Sequence, residues 1–219
     1  MTERAFDALL VDWGGVLTTP ILESFGAFIQ EHGLDPEVLP RLFKDAYGGD
    51  ADADHPVLGI ETGKLSEEDF GRILAERLSE GRDEPFEAAG IKEKLFATIR
   101  PDHAMIEAVK AIHGAGYRTG LVSNTWGPSG FHDELAPHFD ALVMSGVVGM
   151  RKPDPDIYRH AAELVAVPPE RCVFVDDISA NVKGAEAVGM AAIHHRTAEE
   201  TLPQLEALFG VRLAEGPAA

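Results

Sequence analysis

The chain has 219 residues, 45% of them hydrophobic, enough to bury a full core as one domain or as a core with an insertion; a disordered tail is excluded. Nineteen Lys and Arg stand against 37 Asp and Glu, a formal net charge of -18 that argues against a broad surface for nucleic acid. An anionic substrate would meet an unfavourable long-range field, so binding one calls for local positive charge from a lysine, a metal ion or oriented N–H groups.

Cys172 is the only cysteine, so no intramolecular disulfide can form and a reducing compartment is expected. The residues from Met1 to Asp7 lack a basic-then-apolar leader pattern, and no stretch approaches the ~20 apolar residues of a membrane span. The expectation is a soluble, cytoplasmic protein with no membrane partner.

The first element is the apolar run Ala8 to Val11, closed by Asp12 and followed by Trp13-Gly14-Gly15-Val16-Leu17. It reads as a strand ending in a carboxylate and a glycine turn, the place where a parallel sheet presents a nucleophile. An acid there can equally cap a turn. Gly14 and Gly15 let backbone approach a ligand closely and offer N–H groups to an anion.

From about Thr18 to Thr98 the pattern turns helical, at Ile21 to Glu31, Pro36 to Ala46, Ser66 to Leu78 and Phe86 to Ile99, with no convincing strand. Ser66 supplies a capping hydroxyl and Glu67, Glu68 and Asp69 first-turn acids. Gly48, Gly49, Asp50, Asp52, Asp54, His55 and Pro56 read as a loop. Strand-length apolar runs then recur at Tyr117 to Val122, Ala141 to Met144, Cys172 to Val175 and Met190 to Ile193, alternating with helical periods such as Asp102 to Ala115 and Asp156 to Val165. This alternation predicts an α/β fold, a doubly wound parallel sheet of Rossmann-like type. Residues 1–17 and 99–219 would form the core and residues 18–98 an inserted helical cap; the last residues, Gly216 to Ala219, read as a frayed tail.

Three later segments would meet Asp12 at the same edge of that sheet. Ser123-Asn124-Thr125 follows the run Gly120 to Val122, and a hydroxyl with adjacent N–H groups there could hold a phosphoryl oxygen, although such junctions are often Ser- and Asn-rich. Lys152 lies in Arg151-Lys152-Pro153-Asp154-Pro155, where two prolines stiffen the backbone and present a fixed ammonium. Asp176 and Asp177 end an apolar run, and adjacent carboxylates there call for a compensating cation; hard oxygen ligands suit Mg²⁺. A helix N-terminus would also welcome them. His194 and His195 offer no ligand spacing with His132, His138 or His160, so structural or surface roles are expected. Trp126 reads as a packed loop aromatic.

The ordered set resembles the haloacid dehalogenase (HAD) superfamily from about Phe6 to Phe209, and within it the phosphatases similar to the N-terminal domain of epoxide hydrolase. The resemblance rests on Asp12 with Gly14 and Gly15, Ser123-Asn124-Thr125-Trp126, Gly149 to Tyr158, and Val173 to Asn181. It implies that Asp12 attacks phosphorus to form an aspartyl-phosphate on a small phosphorylated substrate. Ser123 and Asn124 would contact the phosphoryl group or substrate, with Gly14 and Gly15 beside it, and Lys152 would bridge nucleophile and phosphate. Mg²⁺ would be held by the Asp12 carboxylate, the main-chain carbonyl of Gly14 and Asp177, supported by Asp176 and Asn181.

The family's phosphatases carry Asp-x-Asp in the first motif, and here the second acid is Gly14. A glycine retains the main-chain oxygen and loses the carboxyl that protonates the leaving group, a contribution of typically about 10²–10⁴-fold. Three readings follow: a Mg²⁺-dependent phosphatase without that acid, dehalogenase or phosphonoacetaldehyde hydrolase chemistry, or a non-catalytic binding protein. Asp176-Asp177 has no task in displacing halide, and of the insertion lysines Lys44 and Lys64 neither carries a Schiff-base signature, so the phosphatase ranks first.

Overall fold

The computed structural model describes residues 4–47, 54–126 and 135–213. Gly48, Gly49, Asp50 and Asp52 of the expected loop, His132, and the expected frayed tail lie outside them.

Five strands form one sheet: β1 (Ala8–Val11), β2 (Arg118–Ser123), β3 (Ala141–Met144), β4 (Cys172–Asp176) and β5 (Ala191–His194). All pairings are parallel, in the order β3-β2-β1-β4-β5. The central strand β1 is buried on both faces, which is why it reads as an unbroken apolar run rather than an alternating one. Val11 pairs with Leu121 on one side and Val175 on the other, so all three strands run to the same edge, β4 one residue and β2 two residues beyond the end of β1.

Alternate residues of β1 serve two cores. Leu9 and Val11 pack with Met105, Val109 and Ile112 of α6 (His103–Gly114) and with Leu205 and Phe209 of α10 (Ala198–Phe209). Ala8 and Leu10 face the other way, with Ile157, Tyr158 and Ala161 of α8 (Pro155–Leu164) and Ala185 of α9 (Ser179–Ala187). Helices on both faces make this the expected doubly wound α/β fold. Asp102 caps α6 by accepting from the Met105 N–H at 3.0 Å, which fixes its start one residue from the expected one.

Between β1 and α6 lie α1 (Ile21–Glu31), α2 (Val38–Tyr47), α3 (Pro56–Glu61), α4 (Glu67–Ser79) and α5 (Ile91–Leu95). Among the described residues of this stretch, the only β pairing outside the sheet is an isolated bridge from Thr18 to Pro101. These helices bury a third core, including Phe25, Phe28, Leu39, Phe70 and Leu74. Trp126, from the loop after β2, joins it and stacks with Phe43 at 5.6 Å between ring centroids. It is therefore a packed aromatic, as expected, and it packs with the core of these helices rather than with the sheet.

Two expectations need correction. The span Phe86 to Ile99 is helical only over Ile91–Leu95, because Gly90 adopts φ 68°, a left-handed conformation that interrupts the helix. His55 and Pro56 are not loop: the His55 side chain accepts from the Val57 N–H and Pro56 opens α3 at the first helical position, where its missing N–H costs nothing.

Candidate active site

Asp12 continues the β1 ladder, donating its N–H to the Val175 carbonyl at 2.9 Å. Its carboxylate is thereby delivered beside the end of β4, and Lys152 meets it there. The Lys152 ammonium, 1% exposed, lies 2.6 Å from Asp12 Oδ1 and 2.7 Å from Asp176 Oδ2. Asp176 is saturated: Oδ1 also accepts the Ile178 N–H at 2.8 Å, and Asn181 Nδ2 reaches both oxygens at 3.0 and 3.1 Å. That set of bonds makes Asp176 the anchor of the lysine and of the turn into α9.

Asp177 is different. Its Oδ1 is buried without a hydrogen-bond partner, although a buried carboxylate oxygen costs free energy unless something compensates it. One oxygen each from Asp12, Asp176 and Asp177 fall within 4.8 Å of one another, a spacing that could hold a metal ion. Burial is the first cause of an Asp12 pKa raised to about 8 and of an Asp177 pKa raised to about 6, with the neighbouring carboxylates adding to both. Burial opposes the charge on Lys152, but Asp12 and Asp176 outweigh it and raise its pKa. Three carboxylates share one ammonium, and a small divalent cation with oxygen preference matches the deficit.

Both glycines serve the turn after β1. Gly15 has φ 76°, and a Cβ there would fall 2.2 Å from Asp177 Oδ2, so the turn needs glycine for both conformation and space. Its N–H donates to Thr18 Oγ1 at 3.1 Å and is spent inside the turn rather than offered to an anion. At Gly14 a Cβ would meet the Ile21 side chain at 2.8 Å, so the first residue of α1 fills the space a side chain would take.

Ser123 ends β2 and is buried at the expected edge. The Asn124 side chain is engaged with Lys152: Oδ1 accepts the Lys152 N–H at 2.9 Å and Nδ2 donates to the Lys152 carbonyl at 3.1 Å. This two-point clamp fixes the main chain of the lysine and leaves Asn124 only its own main chain for a ligand. His195 is buried against Thr201 Oγ1 at 2.9 Å and His194 meets the Asp177 carbonyl at 2.9 Å, in keeping with structural roles.

Sequence reasoning passed over Glu61, Arg151 and Tyr47. Glu61, 2% exposed at the end of α3, accepts from Arg151 Nε at 2.8 Å, from the Tyr47 hydroxyl and from Asn124 Nδ2 at 3.4 Å. The Arg151 guanidinium also lies 4.9 Å from the Tyr47 ring centroid. The signal for α3 was present in the His55-Pro56 pair; nothing in the local sequence says that its last residue meets residue 151. A cavity of about 690 Å³ opens between α1 and α2, lined by Leu22, Phe25, Ile29, Leu39, Phe43 and Lys44 among others, and by none of the acidic cluster.

Comparison with known proteins agrees with this architecture. Residues 6–189 match the family model described as haloacid dehalogenase-like hydrolase. The bifunctional epoxide hydrolase 2 of Sus scrofa is 30% identical over 98% of this chain, which spans only 40% of that relative's length. A sesquiterpene phosphatase of Aspergillus oryzae is 29% identical over 69% of this chain and 78% of its own. In three dimensions, a HAD family enzyme of Bacteroides thetaiotaomicron solved with magnesium and inorganic phosphate superposes with TM-score 0.61 at 20% identity, covering 87% of this chain and 94% of that one. At that identity the likeness speaks for the fold, and the family match over most of the chain for membership: the chain belongs to the haloacid dehalogenase-like hydrolases.

Proposed function

We propose that the protein is a Mg²⁺-dependent phosphatase acting on a small phosphorylated metabolite through an aspartyl-phosphate, with residues 18–98 as a helical cap over the site. The observation that carries this reading is the buried contact of Asp12 with Lys152 beside an unsatisfied Asp177 oxygen. Two relatives, the sesquiterpene phosphatase and an enolase-phosphatase of Frankia alni, point the same way.

Asp12 is the nucleophile: its carboxylate forms a bond to phosphorus while the ester oxygen departs with the electron pair of the bond that breaks. Lys152 holds the attacking oxygen in place and offsets charge on the phosphoryl group. Ser123 and the main chain at Asn124 lie at the same edge for phosphoryl contact. Water then attacks the aspartyl-phosphate, releasing inorganic phosphate and restoring Asp12. Asp12, the Gly14 carbonyl and Asp177 would hold Mg²⁺, with Asp176 and Asn181 in support, and the ion would neutralise phosphoryl oxygens in an otherwise acidic site. Gly14 brings no proton to the leaving oxygen, so substrates with stable leaving groups are favoured.

Two alternatives lose ground on specific observations. Lys44 and Lys64 are both exposed, so neither is a buried Schiff-base amine, as phosphonate cleavage would require. Displacement of halide gives no use to the unpaired Asp177 oxygen. The test is hydrolysis of an activated aryl phosphate with Mg²⁺ and with chelator. Asp12→Asn should lower kcat by about 10³-fold or more, and chelation should abolish turnover. Equal rates in Asp12→Asn and the wild type would remove this residue from the chemistry, and metal-independent chloride release from a 2-haloacid would replace the reading altogether.

A further inference from the structure

We propose that Glu61 is a positioning residue that couples the helical insertion to Lys152, through Arg151 and Asn124. The proposal rests on the phosphatase reading for its catalytic consequence but not for its structural one.

Glu61 touches both neighbours that fix the lysine. One is Arg151, the residue covalently before it, at 2.8 Å; the other is Asn124, whose amide clamps the Lys152 main chain at both N–H and carbonyl. The carboxylate comes from α3, whereas Arg151 and Asn124 come from the loops after α7 (Ser145–Val148) and β2. A second contact holds α3 in register with the core: Gly63, at φ 70°, lies so close to the Gly146 carbonyl that a Cβ would fall 2.4 Å from it. Only glycine admits that approach.

The ion pair is poorly built for stability. It is buried, so both charges have lost their water, and Arg151 Nη2 is left without a hydrogen-bond partner. Apolar side chains in the same space would cost less. What the pair supplies is geometry: it sets the distance between α3 and the segment bearing the lysine. A displacement of Glu61 therefore reaches the Lys152 peptide through two independent bonds. Small misplacements of reacting groups can cost about 10²-fold in rate.

The experiment uses the full chain and Glu61→Gln, which preserves size and removes charge. Two readouts are needed: steady-state hydrolysis of an aryl phosphate, and hydrogen exchange of the Lys152 amide, which donates to Asn124. The expected result is a fall in kcat of about tenfold or more, KM changed by less than about threefold, and faster exchange at Lys152 in a protein that remains folded. Wild-type kcat together with wild-type exchange at Lys152 would overturn the proposal. Should Glu61→Gln fail to fold, Arg151→Lys carries the same expectations, because it retains the cation and loses the guanidinium nitrogen that Glu61 engages. A wild type that hydrolyses no phosphate ester would sink the phosphatase reading, yet faster exchange in Glu61→Gln would still support the coupling.

Discussion

The two edges of the sheet treat carboxylates in opposite ways. At the edge where the strands begin, Asp7 bonds to Arg171 and Asp140 accepts from the Thr119 N–H at 2.8 Å and from Arg118 at 2.6 Å; both carboxyls are held below the usual Asp range. At the edge where the strands end, Asp12 and Asp177 are pushed above it, chiefly by burial. The first arrangement stabilises the folded chain and the second costs it. An acidic cluster that burdens the fold is what a functional site is expected to look like when its cation is part of the design.

The largest effect that would sharpen this contrast is metal-linked stability. A ligand that binds only the folded state at about 100 times its Kd adds about 2.7 kcal/mol, several degrees in Tm for a chain of this size. Titrating MgCl₂ into chelator-treated protein at constant ionic strength should raise Tm by that order. Asp177→Asn should abolish the rise, whereas Asp140→Asn at the other edge should keep it. A Tm indifferent to Mg²⁺ in the wild type would break the comparison at its root.

A second effect concerns Gly14. Adding a fourth carboxylate to the crowded edge with Gly14→Asp should lower metal-free stability by about 1–2 kcal/mol, from like charge and from the Ile21 contact at 2.8 Å. The same substitution should raise turnover of alkyl phosphates, whose leaving groups need a proton, by about tenfold. Ile21→Ala in the same chain should relieve the contact and enlarge the gain, while aryl phosphate rates change little. If the dependence on leaving-group pKa is the same in all three proteins, the proton reaches the leaving oxygen by another route.

How much of this was legible before folding depends on the range of the cause. The strands were readable because a central parallel strand is apolar at every position, and the acids at their ends because a break from apolar to Asp is a local event. Asp12, Lys152 and Asp176 fall at one edge because parallel strands all end on the same side of the sheet, which the alternation of elements implies; that β1 and β4 are neighbours is a matter of strand order. Asn124 is legible as a residue of that edge, whereas its side-chain clamp on Lys152 is not, since it joins residues 28 apart in sequence. Glu61 and Arg151 are 90 apart, and no local pattern records such a meeting. Gly14 was noticed for the acid it lacks; the Ile21 side chain that fills the space is a tertiary fact.

The smallest effect tests the stabilising edge directly. Burial works against ionisation of Asp140, but the Thr119 N–H, Arg118 and His113 outweigh it, so its folded pKa lies below the ordinary 3.8. A carboxyl depressed by folding contributes stability above its unfolded pKa and loses it as pH falls through the folded value. Because the Arg118 side chain is 58% exposed, solvent screening limits its share. Asp140→Asn, which keeps an oxygen for the Thr119 N–H, should therefore cost about 1 kcal/mol near pH 7. Urea unfolding of both proteins from pH 7 to pH 3 should show the gap closing below about pH 4. A gap that does not narrow at all between pH 4 and pH 3 would mean that the asparagine disturbs packing instead, and that the two edges differ less in their electrostatics than their carboxylates suggest.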